Sequence, residues 1–416
     1  MNLFVVPSWY PSAVSSISGI FLKEQACSIG ELRPKWNVVI SLWGQGQYLI
    51  SVRQPVRISQ VAINYWRNRN KHSVITLEEN VQEYRTLAIH WTPRIYQGNL
   101  KGLLHANEIN FLRAMKQFEH IDIIHAHVSY PAGWIAMKLS EKYKIPYLIT
   151  EHMGPFPFKH LLKDNGDLKD IIRKPLENAD AVIAVSPSLA DRIHTFGLVK
   201  PMYIPNVINE QFFKPLSGEQ HKGEKDKFSF FTLGGMTPQK GIPDLLASIQ
   251  LFIYKLPQDE KNRVEFIIGG SGEEAKKYQL LADQTGVSQW IRWLGRISRE
   301  EARCHFQHCD CFVLASHHET FGVVFAEAIA CGKPLIATRC GGPECIVTEK
   351  NGILVEVSNP TQLSEALMQM YKSARDYNLD VIREGFLKRF SRSAVVDQLD
   401  EIYCRVLKER NHLCVE

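Results

Sequence analysis

At 416 residues the chain is long enough for two or three domains, each with a core of its own. Its 45% hydrophobic and 22% charged residues exclude a collagenous, disordered or disulfide-dense secreted chain. The net charge of +5 is unevenly placed, with 23 basic and 16 acidic residues in 1–200 against 26 and 28 in 201–416. The N-terminal half therefore suits an anionic partner such as a membrane surface or a phosphate-bearing ligand, while the lack of a dense Lys/Arg run or zinc-finger spacing argues against nucleic acid.

The first ten residues carry one short apolar run that reaches Pro7 without a basic lead, and read as a strand and not as a signal peptide. Strands are expected at Leu3–Val6, Val38–Leu42, Ile121–His125, Tyr147–Thr150, Ala181–Val185 and Met202–Ile204. Helical patterns lie between several of them, as at Ala132–Tyr143 and Leu168–Ala179. The segment from Gly46 to Asn110 is rich in Arg and aromatic residues and its elements cannot be placed. Residues 206–227 end in a polar run, Ser217 to Lys227, that reads as a linker between a domain at 1–205 and a second at 228–393.

Alternation then restarts. Strands are expected at Phe228–Leu233, Val264–Ile268, Ile291–Leu294, Cys311–Leu314, Pro334–Thr338 and Ile353–Val355. Helices are expected at Ile242–Tyr254, Glu273–Thr285, Ser298–Gln307, Gly322–Cys331 and Gln362–Ser373. A last helix, about Ala394–Glu409, carries Val395, Leu399, Ile402, Val406 and Leu407 at helical spacing. Continuous buried runs alternating with helices imply parallel sheets covered on both faces. The fold expected is α/β, two doubly wound domains in tandem, with ligands at the carboxyl ends of the strands. The nine cysteines are scattered without a C-x-x-C pair, which fits reduced thiols in the cytoplasm and leaves zinc unsupported. The charge-free stretch Trp36–Val52 is too polar to span a bilayer, so any membrane contact would be peripheral.

Chemistry concentrates at strand ends. Ser316-His317-His318-Glu319-Thr320-Phe321-Gly322-Val323 follows an apolar strand and opens a helix that carries Glu327. A glycine-bearing turn into a helix points backbone N–H groups and the helix dipole at an anion, phosphate above all. If both glutamates were helical, eight residues would separate them by about 12 Å. Glycosidase carboxylates stand about 5–9.5 Å apart, so two separate ligand contacts are expected here. Gly234-Gly235-Met236-Thr237-Pro238-Gln239-Lys240-Gly241 also joins a strand to a helix, with glycines that admit a ligand and a lysine that can neutralise phosphate; the P-loop spacing is absent. Gly269-Gly270-Ser271-Gly272, Leu294-Gly295-Arg296 and Cys340-Gly341-Gly342-Pro343-Glu344 repeat the pattern, so several loops would form one crevice rim.

Together these residues resemble glycosyltransferase family 4, retaining enzymes of the GT-B fold. Glu319 to Glu327 is similar to the family's E-x7-E signature, flanked by Phe321-Gly322, Glu327-Ala328, Cys331-Gly332-Lys333-Pro334 and Gly341-Gly342-x-Glu344. Asn206-Val207 through Phe213-Lys214-Pro215, Ser8-Trp9-Tyr10-Pro11 with Ser18-Gly19-Ile20-Phe21, Asp122 to His127 and Thr150-Glu151-His152 resemble other family segments. The resemblance implies a C-terminal domain for a nucleotide-diphosphate sugar, an N-terminal domain for a saccharide or lipid-linked saccharide acceptor, a reaction in the cleft between them, and a last helix, about 394–416, crossing back to the N-terminal domain.

It also implies roles. Glu319 would contact the donor sugar, and the amides of Phe321, Gly322 and Val323 would hold sugar and diphosphate. Glu327 would bind the ribose, Lys240 would neutralise the diphosphate, and Arg296 would line the base pocket. Gly19, Gly234 and Gly272 would allow close approach to the donor. His152 would face the reacting sugar, and His127 would lie on the acceptor side. His125 and His127 are expected on opposite faces of their strand, with no shared metal site. No D-x-D occurs, so no metal and no other cofactor is expected. One departure stands out: where the family often has Arg five residues before the Lys, this chain has Gly235. That leaves open a catalytically weak scaffold subunit. A GT-B epimerase or phosphorylase is a further alternative. The protein is expected in the cytoplasm, with a peripheral contact on the inner face of the cell membrane through the basic N-terminal half.

Overall fold

The computed structural model describes residues 1–50, 55–91, 96–216 and 227–413, so the polar part of the expected linker, 217–226, lies outside the described residues. The chain forms two compact units. The first comprises Met1–Val185, Leu189–Val207 and Arg392–Glu416; the second is essentially Ile208–Ser391.

The first unit holds strands β1 (Asn2–Pro7), β2 (Asn37–Leu42), β3 (Leu49–Ile50), β4 (Ser73–Glu78), β5 (Val81–Arg85), β6 (His90–Trp91), β7 (Ile123–His127), β8 (Tyr147–Glu151), β9 (Ala181–Ala184) and β10 (Met202–Tyr203). Helices α1 (Ile20–Leu32), α2 (Pro55–Asn68), α3 (Leu100–Phe118), α4 (Trp134–Tyr143), α5 (Asp170–Glu177) and α6 (Pro187–His194) connect them. Eight strands form a sheet in the order β10-β9-β8-β7-β1-β2-β5-β4, and β3 pairs with β6 in a separate two-stranded ribbon. All neighbours in the large sheet run parallel except β4 and β5. The order reverses between β1 and β7, which makes their carboxyl ends a switch point.

The apolar runs expected as strands are there, each within a few residues. β7 is displaced toward its carboxyl end, so that His127 is its last residue. The segment that resisted assignment contains α2, β4, β5, β6 and most of α3. β5 reads Val-Gln-Glu-Tyr-Arg, which gives no apolar run, yet Glu83 within it is only 2% exposed. Its carboxylate accepts the Tyr10 hydroxyl at 2.8 Å and pairs with Arg85 at 2.6 Å, the compensation a buried charge requires.

The second unit holds β11 (Phe228–Leu233), β12 (Val264–Gly269), β13 (Ile291–Gly295), β14 (Cys311–Leu314), β15 (Leu335–Thr338) and β16 (Gly352–Val355). Its helices are α7 (Ile242–Lys255), α8 (Ala275–Gln284), α9 (Arg299–His308), α10 (Val323–Ala330), α11 (Pro360–Ser373) and α12 (Leu379–Phe390). The sheet is fully parallel in the order β13-β12-β11-β14-β15-β16, with its switch point between β11 and β14. α7 buries Ile242, Leu245, Leu246, Ile249, Phe252 and Ile253, the i, i+3, i+4 stripe of a helix laid on a sheet. α9 starts at a capping box in which Ser298 and Glu301 satisfy each other's backbone N–H.

The last helix, α13 (Arg392–Leu413), returns to the first unit. Val395, Val396, Leu399, Ile402 and Val406 lie in one core with Leu3, Val5, Ile29 and Val38. At roughly 1.5–3 kcal/mol for each buried aliphatic side chain, five of them contribute on the order of 10 kcal/mol. Arg33 fixes the helix's rotation through Asp397 at 2.7 Å and Asp400 at 2.6 Å.

Candidate functional site

Two loops meet at the switch point of the second unit. The loop after β11 runs through Gly234 and Gly235 into a tight turn, Pro238–Lys240, that leads to α7. The loop after β14 carries Ser316, His317 and Glu319 and ends at Gly322, whose left-handed backbone (φ 89°) caps the N-terminus of α10. Because β11 and β14 are neighbours, the loops lie side by side. Lys240 Nζ stands 2.6 Å from Glu319 Oε1, and the Ser316 hydroxyl donates to the same oxygen at 2.7 Å. Both partners are partly buried, with side-chain exposures of 24% and 11%. Lys240 and Glu319, 79 residues apart, thus form one charge-paired unit.

Neighbouring contacts make that unit rigid. The His317 ring meets the Asp244 carboxylate at 2.6 Å, and His317 N–H donates to the Gln239 carbonyl at 2.8 Å, which ties the Glu319 loop to the start of α7. Thr338 on β15 donates its hydroxyl to the Ser316 carbonyl. Gly342 N–H donates to the Glu319 carbonyl at 2.8 Å, and the Glu344 carboxylate accepts Gly341 N–H. The Cys340–Glu344 loop, expected as part of a ligand rim, also clamps Glu319. Asp244 was not among the residues singled out by sequence reasoning, and Ser316 was named within its motif but given no role. Asp244 had one legible signal, an acidic residue in the first turn of the helix that follows Lys240.

Glu319 lies ahead of α10 and Glu327 lies within it, where it is 9% exposed. The separation worked out for two helical glutamates therefore does not apply to this pair. Phe321 is buried, and Gly322 and Val323 open the helix, where the first N–H groups have no earlier carbonyl to bind. Gly234 follows β11. Gly272, in the loop after β12, comes so close to the neighbouring loop that a Cβ would sit 2.4 Å from the Met236 carbonyl oxygen, so its glycine has a packing reason. Arg296 is exposed after β13, with Nε 3.4 Å from the Ser271 hydroxyl. Gly235 is exposed, and a Cβ there would meet only Thr237 at 3.8 Å, so nothing steric forbids the arginine that the family often carries.

Gly19, His127 and His152 belong to the first unit. Gly19 opens α1 with φ 66°, and a Cβ there would fall 2.6 Å from the Trp9 carbonyl oxygen; the N-terminal loop folds against its own backbone at this point. At the carboxyl ends of β7 and β8 the histidines form one cluster. His125 and His127 share a face, with ring centroids 4.2 Å apart, which corrects the expectation of opposite faces. A strand repeats every two residues, so i and i+2 point the same way. His127 Nδ1 lies 3.0 Å from His152 Nε2, and the His152 ring packs on Phe21 at 5.0 Å. His125 is bonded to the Tyr403 hydroxyl at 2.7 Å and to the Thr150 hydroxyl at 2.8 Å.

Burial pushes all three imidazoles down, His127 to about 3 and the others well below the ordinary value, so the cluster is neutral at physiological pH. It can exchange hydrogen bonds with hydroxyls but supplies no cation. Next to it, the buried Glu151 carboxylate accepts the backbone N–H of Ser129 at 3.0 Å and those of His152 and Met153 at 2.9 Å, and the Ser129 hydroxyl. Burial raises Glu151 against these four donors. Its fixed position orients the turn that carries His152.

The folded chain is similar to sucrose-phosphate synthase from Thermosynechococcus elongatus, with a TM-score of 0.72 over 98% of this chain and 100% of that one, at 19% identity. It is similar also to Anabaena HepE in complex with UDP, with a TM-score of 0.64 over 96% and 98% of the two chains, at 17% identity. These likenesses establish the fold, two Rossmann-like domains of the GT-B class. In sequence, residues 58–212 match the family described as Glycosyltransferase Family 4 and residues 214–385 match Glycosyl transferases group 1. An uncharacterised glycosyltransferase of Methanocaldococcus jannaschii is 28% identical over 330 residues, 78% of this chain and 86% of the relative. The chain belongs to glycosyltransferase family 4 and is a glycosyltransferase.

Proposed function

We propose that the protein moves a hexose from a nucleoside-diphosphate sugar to a saccharide or lipid-linked saccharide, with retention at the anomeric carbon and without a metal ion. The observation that carries this reading is the Lys240–Glu319–Ser316 unit at the β11/β14 switch point, beside the start of α10. A diphosphate needs positive potential, and here a lysine and a helix N-terminus offer it in one place. HepE, of the same fold, was solved with UDP.

In the proposed reaction the bond between the anomeric carbon and the diphosphate oxygen breaks, and the acceptor hydroxyl adds to the same face. Its proton passes to an oxygen of the departing diphosphate, so no protein nucleophile is needed. The transition state is oxocarbenium-like, with negative charge growing on the leaving group. Lys240, the amides of Phe321, Gly322 and Val323, and the helix dipole would stabilise that charge. Glu319 would bind hydroxyls of the donor sugar, Glu327 those of the ribose, and Arg296 would stand at the base. Gly234 and Gly272 would leave room for the diphosphate, and Gly19 would let the N-terminal loop approach a ligand. His152, oriented by Glu151 and His127, would bond a hydroxyl of the reacting sugar in its neutral form.

Incubation with UDP-, GDP- and ADP-sugars, followed by thermal shift and slow nucleotide release, tests the reading. A shift and release with one donor are the expected result. No shift with any donor would overturn it and favour the scaffold alternative that Gly235 raises.

Among the described residues no helix is long and apolar enough to cross a membrane. We propose a peripheral cytoplasmic seat through α2. Val61 and Tyr65 pack this helix inward, yet its outer side carries Ile63 and Trp66 at 51% and 66% exposure, with Arg69 stacked over Trp66 at 5.5 Å. No acidic residue occurs between Glu31 and Glu78, against seven Lys and Arg. An apolar stripe in a basic setting suits an anionic bilayer surface. Cosedimentation should occur with phosphatidylglycerol–phosphatidylcholine vesicles and fall about tenfold with Trp66→Ser plus Ile63→Ser. Equal recovery with pure phosphatidylcholine would remove the electrostatic part of the idea.

A further inference from the structure

The large sheet of the first unit ends in two unlike edges. At one end β10 has two residues, too short to template another chain. At the other end β4 runs six residues, Ser73 to Glu78. Among the described residues no strand but β5 pairs with it. Five of its six residues are exposed, and Leu77 alone turns into the core. The strand is open on both faces: Ile75, opposite Glu83, and Val74, opposite Tyr84 on the other face, are both exposed. Its interior, Ser73 to Leu77, holds no charge and no proline, two of the devices that usually blunt an edge. The one irregularity, a register shift against β5 between Thr76 and Glu78, falls past the centre of the strand.

The flanks of this run select what covers it. The chain reads Lys71-His72-Ser73-Val74-Ile75-Thr76-Leu77-Glu78-Glu79, basic at the start and acidic at the end. Lys71, Glu78 and Glu79 are exposed, and none of the three has an ion-pair partner among the described residues. An antiparallel copy of the same segment reverses this polarity, whereas a parallel copy would set like charges side by side.

Symmetry then limits the register. Successive residues of a strand present their N–H and C=O to alternate sides, so an antiparallel pair about a two-fold axis places one residue opposite itself. With Ile75 on the axis, Lys71 faces Glu79, His72 faces Glu78 and Val74 faces Thr76, each of them twice. With Val74 on the axis, Lys71 faces Leu77 and Glu78 faces Asn70. With Thr76 on the axis, Glu78 faces Val74 and Glu79 faces Ser73. The register centred on Ile75 pairs the charges and these neighbours do not. We propose that the protein forms a two-fold dimer through β4, antiparallel and centred on Ile75, which joins two eight-stranded sheets into one. The partner is a second copy of this chain. A contact of about six residues a side is small, so the association belongs in the micromolar range.

The full-length protein, in reducing buffer and without substrates, is followed by sedimentation velocity from about 1 to 100 µM. Monomer should give way to dimer across that range, with no larger species, because a two-fold pairing closes. Ile75→Lys sets two lysines opposite each other and should raise the dimer Kd tenfold or more. Lys71→Glu and Glu79→Lys should each raise it several-fold, and the double variant, which restores the opposition of charge, should return it close to the parent value. Ile75→Cys under oxidant should give a covalent dimer in excess of that formed by the parent, which provides the readout if Ile75→Lys does not fold. No such excess, a monomer at every concentration, a dimer indifferent to Ile75→Lys, or a double charge reversal no better than its singles would each overturn the proposal. So would growth past the dimer, the mark of open-ended edge aggregation.

Discussion

Lys240→Ala is expected to lower kcat/KM for sugar transfer by about 10²- to 10³-fold, the usual loss when a preorganised group facing transition-state charge is removed. The loss should fall mainly on kcat, because the charge that Lys240 meets grows as the diphosphate departs. Glu319→Gln should cost a similar factor by a different route. It keeps a group that can accept from Ser316 but releases the 2.6 Å pairing that positions Lys240, and it weakens the proposed bond to the donor sugar. Circular dichroism and thermal midpoints close to the parent protein would show that both variants fold. Since the two residues act as one unit, the double variant should lose little more than the worse single one. Turnover near that of the parent in either single variant would remove the site from this pair of loops. Gly235→Arg supplies the reciprocal check: with room for a side chain and no left-handed φ at that position, an added cation should lower the donor KM several-fold.

Between pH 7 and pH 5 the first unit is expected to lose several kcal/mol of stability. His90, His125, His127 and His152 are all held below their ordinary value by burial, two of them to about 4 and about 3. Below pH 6.5 the unfolded chain takes up protons at these positions and the folded chain does not. Stability therefore falls as the pH drops, by about 1.4 kcal/mol per pH unit for each group, until the folded-state value is reached. Glu151 works in the opposite sense, because its folded value is raised; the stability it contributes is lost as pH rises through that value. One carboxylate against four imidazoles leaves a net acid sensitivity. In the second unit His305 and His318 are also lowered by burial, but both are only partly buried. Six of the eight tryptophans lie in the first unit, so fluorescence-detected denaturation at pH 7, 6 and 5 reads mainly the relevant half. His127→Gln should flatten the pH slope by close to one proton, whatever it does to stability at pH 7. An unchanged slope would mean that the cluster is hydrated and not buried.

The sequence was most legible where buried strands announce themselves as unbroken apolar runs. Phe228–Leu233 and Cys311–Leu314 are strands over those very residues, and the order of strands and helices in the second unit follows the alternation of the pattern. The catalytic candidates were legible for a related reason: they sit in loops directly after such runs, with glycines that mark the turns. What failed depended on partners distant in the chain. β5 is a polar pentapeptide whose Glu83 is made tolerable by Tyr10, 73 residues away, and β4 is an exposed antiparallel edge strand. The Asp244–His317 contact that ties down the Glu319 loop was hidden for the same reason, since it forms only once α7 and the β14 loop are packed together. The misplacement of His125 and His127 has another origin, the two-residue repeat of a strand misapplied.

The return of α13 to the first unit has a consequence for how the protein is made. The Tyr403 hydroxyl that bonds His125, and the aliphatic residues that complete the core around β1 and β2, are synthesised after the whole of the second unit. A nascent chain emerging in order can finish the later domain while the earlier one still waits for its closing helix, the reverse of the usual N-terminal-first sequence. During that interval the apolar groove meant for Val395, Leu399 and Ile402 lies open, together with a histidine lacking its tyrosine. The first half of this protein is thus exposed to chaperones and proteases for as long as the ribosome takes to deliver α13, and its quality control is tied to the synthesis of the second unit.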